Sequence, residues 1–247
     1  MDVQIFSDLH LEFTKKYYPS IKPQANILLL LGDIGRISDK NYKNFMSHCS
    51  KNWKCVLVVL GNHEYHHGKK SINTLFLEYQ EYFHTFKNIH LLDNSSIVVD
   101  NIKFIGSTLW SNIMCNTKYL NDFKKINYLR RTKIKKNQFV DLYKKSKKYI
   151  INEINEENAN KIIILTHFPM INKGVVNEEY ENSIDKSYFT NDLIDEIDNK
   201  KVIACIHGHT HHSIDIINNK IRFISNAKGY MDEKTNYDEN NLYKIDI

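Results

Sequence analysis

Asp8 and His10, Asp33, Asn62 and His63, His167, and His209 and His211 are the residues of this chain best suited to chemistry. They lie in five short islands, Asp8-Leu9-His10, Gly32-Asp33, Gly61-Asn62-His63-Glu64, Thr166-His167 and Gly208-His209-Thr210-His211. Carboxylate, imidazole and amide oxygen in one set are the donors that divalent ions such as Mn, Fe, Co, Ni and Zn accept. Asp8 and His10, like His209 and His211, stand two apart, a spacing that puts both side chains on one side of an extended chain. Taken singly, each island has a plainer explanation. Asp8 could cap a turn, Asp33 could cap the next helix, and His167 could be a core histidine satisfied by hydrogen bonds. What joins them is position, because each follows a run of apolar, strand-like residues. The rim at the carboxyl ends of strands is where open α/β sheets place their ligands. The chemistry this suggests is a two-metal centre that hydrolyses phosphate esters.

The elements that would position these residues are legible as apolar runs. Val3–Ser7, Ile27–Leu31, Val56–Leu60, Ile162–Leu165 and Val202–Ile206 read as strands, the continuous ones as strands covered on both faces. Lys40–Lys51 and Ser71–Phe86 read as helices between them. Asp100-Asn101 and Asn218-Asn219 are turn signals between short β runs and predict two hairpins. Leu242–Ile245 reads as a closing strand. Strand and helix alternate early and β predominates late, which suits a four-layer αββα sandwich of two mixed β-sheets flanked by helices. Residues 1–247 read as one domain. A basic helical insertion at about 112–159 is expected on its flank or over the mouth of the site.

Composition narrows the function classes. The chain of 247 residues is 42% hydrophobic and 26% charged, enough for a core and a hydrated surface. No apolar run approaches the roughly 20 residues needed to span a bilayer, and the start MDVQIFSDLH lacks a secretory pattern. Cys49, Cys55, Cys115 and Cys205 form no CxxC pair and read as reduced, mostly buried thiols, so an intracellular, cytoplasmic setting is expected. The net charge is +5, yet 121–150 alone holds eleven Lys/Arg against two Asp. With Tyr128, Phe139 and Tyr143 interleaved, the stretch 124–148 could track a nucleic-acid backbone or could be a solvated helix face.

The motif order DxH, GD, GNH(E/D), H and GHxH resembles the calcineurin-like metallophosphoesterases, in particular the small phosphoesterases of that family. All five elements are present between Asp8 and His211. The resemblance implies a metallo-dependent phosphatase fold and two divalent ions, Mn or Fe ahead of Zn, Co or Ni. It implies that Asp8, His10, Asp33 and His211 hold the first ion. Asp33 would bridge to the second, which Asn62, His167 and His209 would also hold. His63 would face the substrate and protonate the leaving group. The substrate would be a phosphate mono- or diester, a small nucleotide-like diester being favoured. A nuclease and a non-catalytic metal-binding scaffold are the alternatives. Arg36, His66 and His67 are candidates to contact phosphate or base. Family phosphoprotein phosphatases carry GDxxDRG, whereas this chain reads Gly32-Asp33-Ile34-Gly35-Arg36-Ile37-Ser38. The second Asp is missing, which argues against a protein phosphatase and leaves His63 without an assigned carboxylate. Tyr65, Trp110 and Tyr188 could offer rings to a substrate. The segment 228–241 reads as a polar surface loop.

Overall fold

A computed structural model describes residues 1–14, 18–156, 161–198 and 200–246. Two mixed sheets form its centre. In the first, β1 (Asp2–Phe6), β2 (Ile27–Leu31), β3 (Cys55–Val59) and β4 (Ile89–Leu91) run parallel, with the last strand, Tyr243–Lys244, antiparallel on the edge beside β1. The second sheet begins with the antiparallel hairpin β5 (Ser95–Val99) and β6 (Ile102–Ser107). A separate small hairpin pairs β7 (Asn127–Leu129) with β8 (Thr132–Lys133). Beyond β6 the second sheet continues in parallel through β9 (Ile162–Thr166), β10 (Val202–His207) and β12 (Ile221–Ser225), and β11 (Ile214–Asn218) closes its edge antiparallel to β12. The edge strand of the first sheet is β13. Ser7 bridges to Ala227, so the two sheets meet just beyond the end of β1.

Strand alternation sorts the core into layers. Val3, Ile5, Leu29, Leu31, Leu57 and Val59 face Phe104, Ile163, Leu165, Ala204, Ile206 and Ile224 between the sheets. The residues between them in sequence, such as Leu28, Leu30, Val56, Val58, Ile164 and Phe223, face outward beneath helices. Those helices are α1 (Lys40–Asn52) and α2 (Ile72–Phe83), followed by the short α3 (Asn121–Lys125), the long α4 (Lys136–Asn155) and the short α5 (Lys186–Phe189). Tyr42, Phe45, Met46 and Cys49 of α1, Leu75, Tyr79 and Phe83 of α2, and Phe139, Tyr143, Ile150 and Ile154 of α4 are their buried faces. The molecule is thus an αββα sandwich. Strands buried on both faces need apolar residues at every position, which is why β2 reads ILLLL.

Both predicted hairpins form. Asp100 and Asn101 have φ of 50° and 63°, and Asn219 and Lys220 have 49° and 65°. Positive φ at both central residues matches the strand twist, and Asn and Asp tolerate it. The segment 112–159 is less helical than expected. It holds α3, the β7–β8 hairpin and α4, while 112–120 is irregular, and 157–159 lie outside the described residues. Burial of Ile126 and Ile134 on either side of the hairpin ties it to the core. Among the described residues no helix is long and apolar enough to cross a membrane.

Candidate functional site

The site lies where the carboxyl ends of β1, β2, β3, β9 and β10 converge. Loop backbones approach closely there. Asp8 N donates to Gly32 O at 3.0 Å, His10 N to Asp33 O at 2.9 Å, and Gly208 N to His167 O at 3.0 Å. Two glycines permit the approach. A Cβ on Gly61 would stand 2.2 Å from Asp33 Oδ1, and one on Gly32, whose φ is +82°, would stand 2.5 Å from His167 Nδ1. The buried carboxylate of Glu64 ties the second and third islands together. It accepts from the amides of Gly61, Asp33, Ile34 and Gly35 at 2.7–3.2 Å. Asp8, His10, Asp33, His209 and His211 all adopt positive φ, between 47° and 69°. Non-glycine residues in that region are strained, and such strain gathers at functional sites.

Two donor sets emerge among the described residues, Asp8 with His10 and His211, and Asp33 with His167 and His209, and a third, His10 with Asp33 and His63, joins them; the atoms of each set lie within 4.8 Å of one another. Their hydrogen bonds show what they lack. His10 Nδ1 pairs with Glu12 Oε1 at 3.1 Å and His211 Nδ1 with Glu233 Oε2 at 2.5 Å. A carboxylate only accepts, so both Nδ1 atoms donate, and both Nε2 atoms are turned inward. Those two Nε2 atoms stand 3.1 Å apart. In the second set His167 Nδ1 donates to Leu31 O at 2.8 Å, and its Nε2 faces Asn62 Oδ1 at 2.9 Å and Asp33 Oδ1 at 3.5 Å. Asn62 is oriented oxygen-inward because its amide nitrogen donates to Asp122 Oδ1 at 2.9 Å. Among the described residues nothing pairs with the buried Nε2 of His209. Imidazoles and carboxylates turned toward one another in a buried place need protons or a cation among them, and imidazoles fixed through their other nitrogen are how proteins orient metal ligands. Residues and group fit.

The electrostatics agree. Burial pushes His167 down, but the charge and hydrogen bond of Asp33 outweigh it and lift the imidazole to about 9. Burial is likewise outweighed at His211, raised to about 10 by Asp8 and Glu233. His209, buried without a carboxylate partner, falls to about 3. The field is negative where the two sets meet, and a negative field attracts a cation as it attracts a proton.

His63 stands between the sets, its ring 4.5 Å from that of His10. Its Nδ1 pairs with Glu12 Oε1 at 2.8 Å and its Nε2 with Tyr230 Oη at 3.2 Å. Burial would lower its pKa, and the charges of Asp33 and Glu12 reverse that and raise it. Glu12 is therefore the missing carboxylate. It lies just beyond the first island, on the short turn Leu11–Phe13, and serves His10 and His63 at once. Burial alone would raise Glu12, but those two imidazoles hold it down at about 2.

The other candidates sit differently. His66 is buried behind His63, rings 4.2 Å apart, with Nε2 on Asp122 Oδ1 at 2.7 Å, so it supports the site from beneath. His67 lines a groove of about 390 Å³ between α1 and α2, with Lys43, Lys70 and Glu78. Arg36 is half-buried. Tyr65, Trp110 and Tyr188 are all buried, so they offer no ring to a ligand. Among the described residues, the rings exposed at the site are Phe13 and Tyr230. Sequence reasoning missed four residues. Glu12 carried a faint signal, a carboxylate two residues beyond His10. Asp122, Tyr230 and Glu233 carried none, Asp122 within a basic run and the other two in what read as a surface loop.

The family model for calcineurin-like phosphoesterases matches residues 1–213, which span every island. The chain belongs to the calcineurin-like phosphoesterase family. Uncharacterized protein L509 of Acanthamoeba polyphaga mimivirus is 33% identical to this family member over 97% of the chain and 95% of that protein. Among solved structures, the fold is similar to phosphopantetheinyl hydrolase of Mycobacterium tuberculosis, with a TM-score of 0.64 at 12% identity, covering 92% of this chain and 89% of that one. It is also similar to a dimetal phosphatase of Danio rerio, with a TM-score of 0.53 at 12% identity, covering 91% and 86%. The family match ends before Tyr230 and Glu233, so this phosphoesterase-family chain completes its site with residues beyond the matched region.

Proposed function

We propose that the protein hydrolyses phosphate esters, small nucleotide-like diesters first among them, with two divalent cations, Mn or Fe by preference. Asp8, His10 and His211 would hold one cation, and Asn62, His167 and His209 the other, with Asp33 shared. The observation that carries this reading is the convergence of ligand atoms, above all the two Nε2 atoms 3.1 Å apart whose Nδ1 atoms are both committed to carboxylates. Cations bound there supply Lewis acidity toward phosphoryl oxygens and lower the pKa of water. The chain's own groups do the rest. Glu12 fixes the His63 proton on Nδ1 and stabilises the doubly protonated ring. His63 Nε2 is then the atom that gives its proton to the departing alkoxide. Asp122 and His66 hold Asn62 and His63 in place from below. We read 1–247 as one domain, because β13 from the end of the chain pairs with β1 from its start.

Hydrolysis of bis(p-nitrophenyl) phosphate and p-nitrophenyl phosphate by chelator-stripped protein, with and without Mn, tests the reading. Metal-dependent turnover favouring the diester supports it. No turnover by folded, metal-loaded protein would contradict it and favour the scaffold.

A nuclease is the second reading, and one observation favours it. Asn127 Nδ2 donates to the carbonyls of His67 and Lys70 at 3.1 and 3.2 Å, which ties the base of the β7–β8 hairpin, with its exposed Arg130, Arg131 and Lys133, to the segment that follows the His63 turn. Cleavage of oligonucleotides that falls steeply with salt would support it. Salt-insensitive turnover of small diesters, with oligonucleotides untouched, would remove it.

A further inference from the structure

Phe13 and Tyr230 are large aromatic residues left 56% and 42% exposed. Scattered exposed rings on a surface call for no explanation. These two are not scattered. Their centroids are 5.8 Å apart at an interplanar angle of 70°, and both adjoin His63, at 6.2 Å each. Each is held in place. Phe13 closes the turn that carries Glu12. Tyr230 lies on a loop bent by Gly229 at φ +70°, and its amide donates to Glu233 Oε2 at 2.8 Å. The Tyr230 ring also covers the His10 ring at 4.5 Å. The result is an L-shaped aromatic corner, one face from each ring, beside the imidazole that would act on the leaving group.

The position of the corner decides what it touches. His63 Nδ1 is committed to Glu12, so its proton can leave only from Nε2, the atom now paired with Tyr230 Oη at 3.2 Å. A leaving oxygen that takes this proton must come within hydrogen-bond reach of Nε2. The group attached to that oxygen then lies against Tyr230 and Phe13. We infer that these two residues form a specificity subsite for the leaving group, and that it selects esters whose departing alcohol carries a flat aromatic ring. A ring seated there can stack on one face while meeting the other edge-on, the two geometries aromatic pairs prefer. This rests on the role proposed for His63, and it adds the chemical class of the group that departs.

The test measures binding, so it stands apart from turnover. Benzylphosphonate and cyclohexylmethylphosphonate carry the same anionic head and side groups of similar size, one flat and aromatic, the other puckered. Their affinities for Mn-loaded protein are measured by calorimetry, with methylphosphonate as the reference for the head alone. The unsubstituted protein is expected to bind benzylphosphonate about fivefold to tenfold more tightly than the cyclohexyl compound, the size of one or two aromatic contacts. Phe13→Leu and Tyr230→Leu keep apolar bulk and should each lower that ratio severalfold, with the methylphosphonate affinity of each variant serving as its own reference for the head. Tyr230→Phe keeps the ring and should keep the ratio. Equal affinity for the two phosphonates, or a ratio that survives both Leu variants, would overturn the subsite. Ester hydrolysis by a protein that binds both equally would leave the hydrolase reading standing and sink only the subsite. The preference and its loss in a protein that turns over no ester would do the reverse.

Discussion

Glu12 accepts from two imidazoles through one oxygen, and that contact sets the strongest expectation at the scale of the residue. Glu12→Gln keeps the size and removes the charge that favours protonated His63. It should lower kcat on esters with poor leaving groups by roughly 10–100-fold, the usual cost of disturbing a group that orients ligands. Activated p-nitrophenyl esters should suffer much less, and a kcat series across leaving groups reads the difference. A uniform loss across the series would instead mean that Glu12 acts through His10 and the cation. His63→Ala should retain two metals by elemental analysis and lose roughly 10²–10⁴-fold in turnover of poor leaving groups. Loss of metal in that variant would make His63 a ligand. The donors themselves were legible in sequence because each is a rare residue at the end of an apolar run. Their supports were not. Asp122 orients Asn62 from sixty residues away, and Glu233 reaches His211 across a loop whose sequence resembles any polar surface. Such pairings depend on tertiary folding that no local spacing encodes.

Among the elements, strands and hairpins were the most legible. Apolar runs such as ILLLL announce strands buried on both faces, and Asp100-Asn101 marks a tight turn by its tolerance of positive φ. The segment 112–159 was harder, because a Lys-rich helix face and a short exposed hairpin share one composition. Close contact between sheet and loop gives a test at this scale. Gly106 lies in β6, and a Cβ there would stand 2.2 Å from Leu92 Cβ. Gly106→Ala should destabilise the fold by about 1–3 kcal/mol, the usual cost of overpacking, read from the urea midpoint at unchanged slope. An unaltered midpoint would mean that the 92–95 turn yields freely.

At the scale of the whole molecule, five loops from two sheets converge on one place, and their strained backbone and crowded polar groups oppose folding until something offsets them. The sandwich supplies the frame, with one core between the sheets and another beneath the helices. Cations that bind the folded site and not the unfolded chain add stability by mass action, about 2.7 kcal/mol at a hundred times Kd. Chelation should therefore lower Tm, and re-addition of Mn should restore it. On the proposed reading the donors form two cation seats that share Asp33. The most direct test is calorimetric titration of Mn into chelator-stripped protein, alongside Asp33→Asn. The unsubstituted protein should bind two equivalents, and the variant should bind more weakly at both positions. One equivalent or none, or a variant that loses a single position and keeps the other intact, would contradict it.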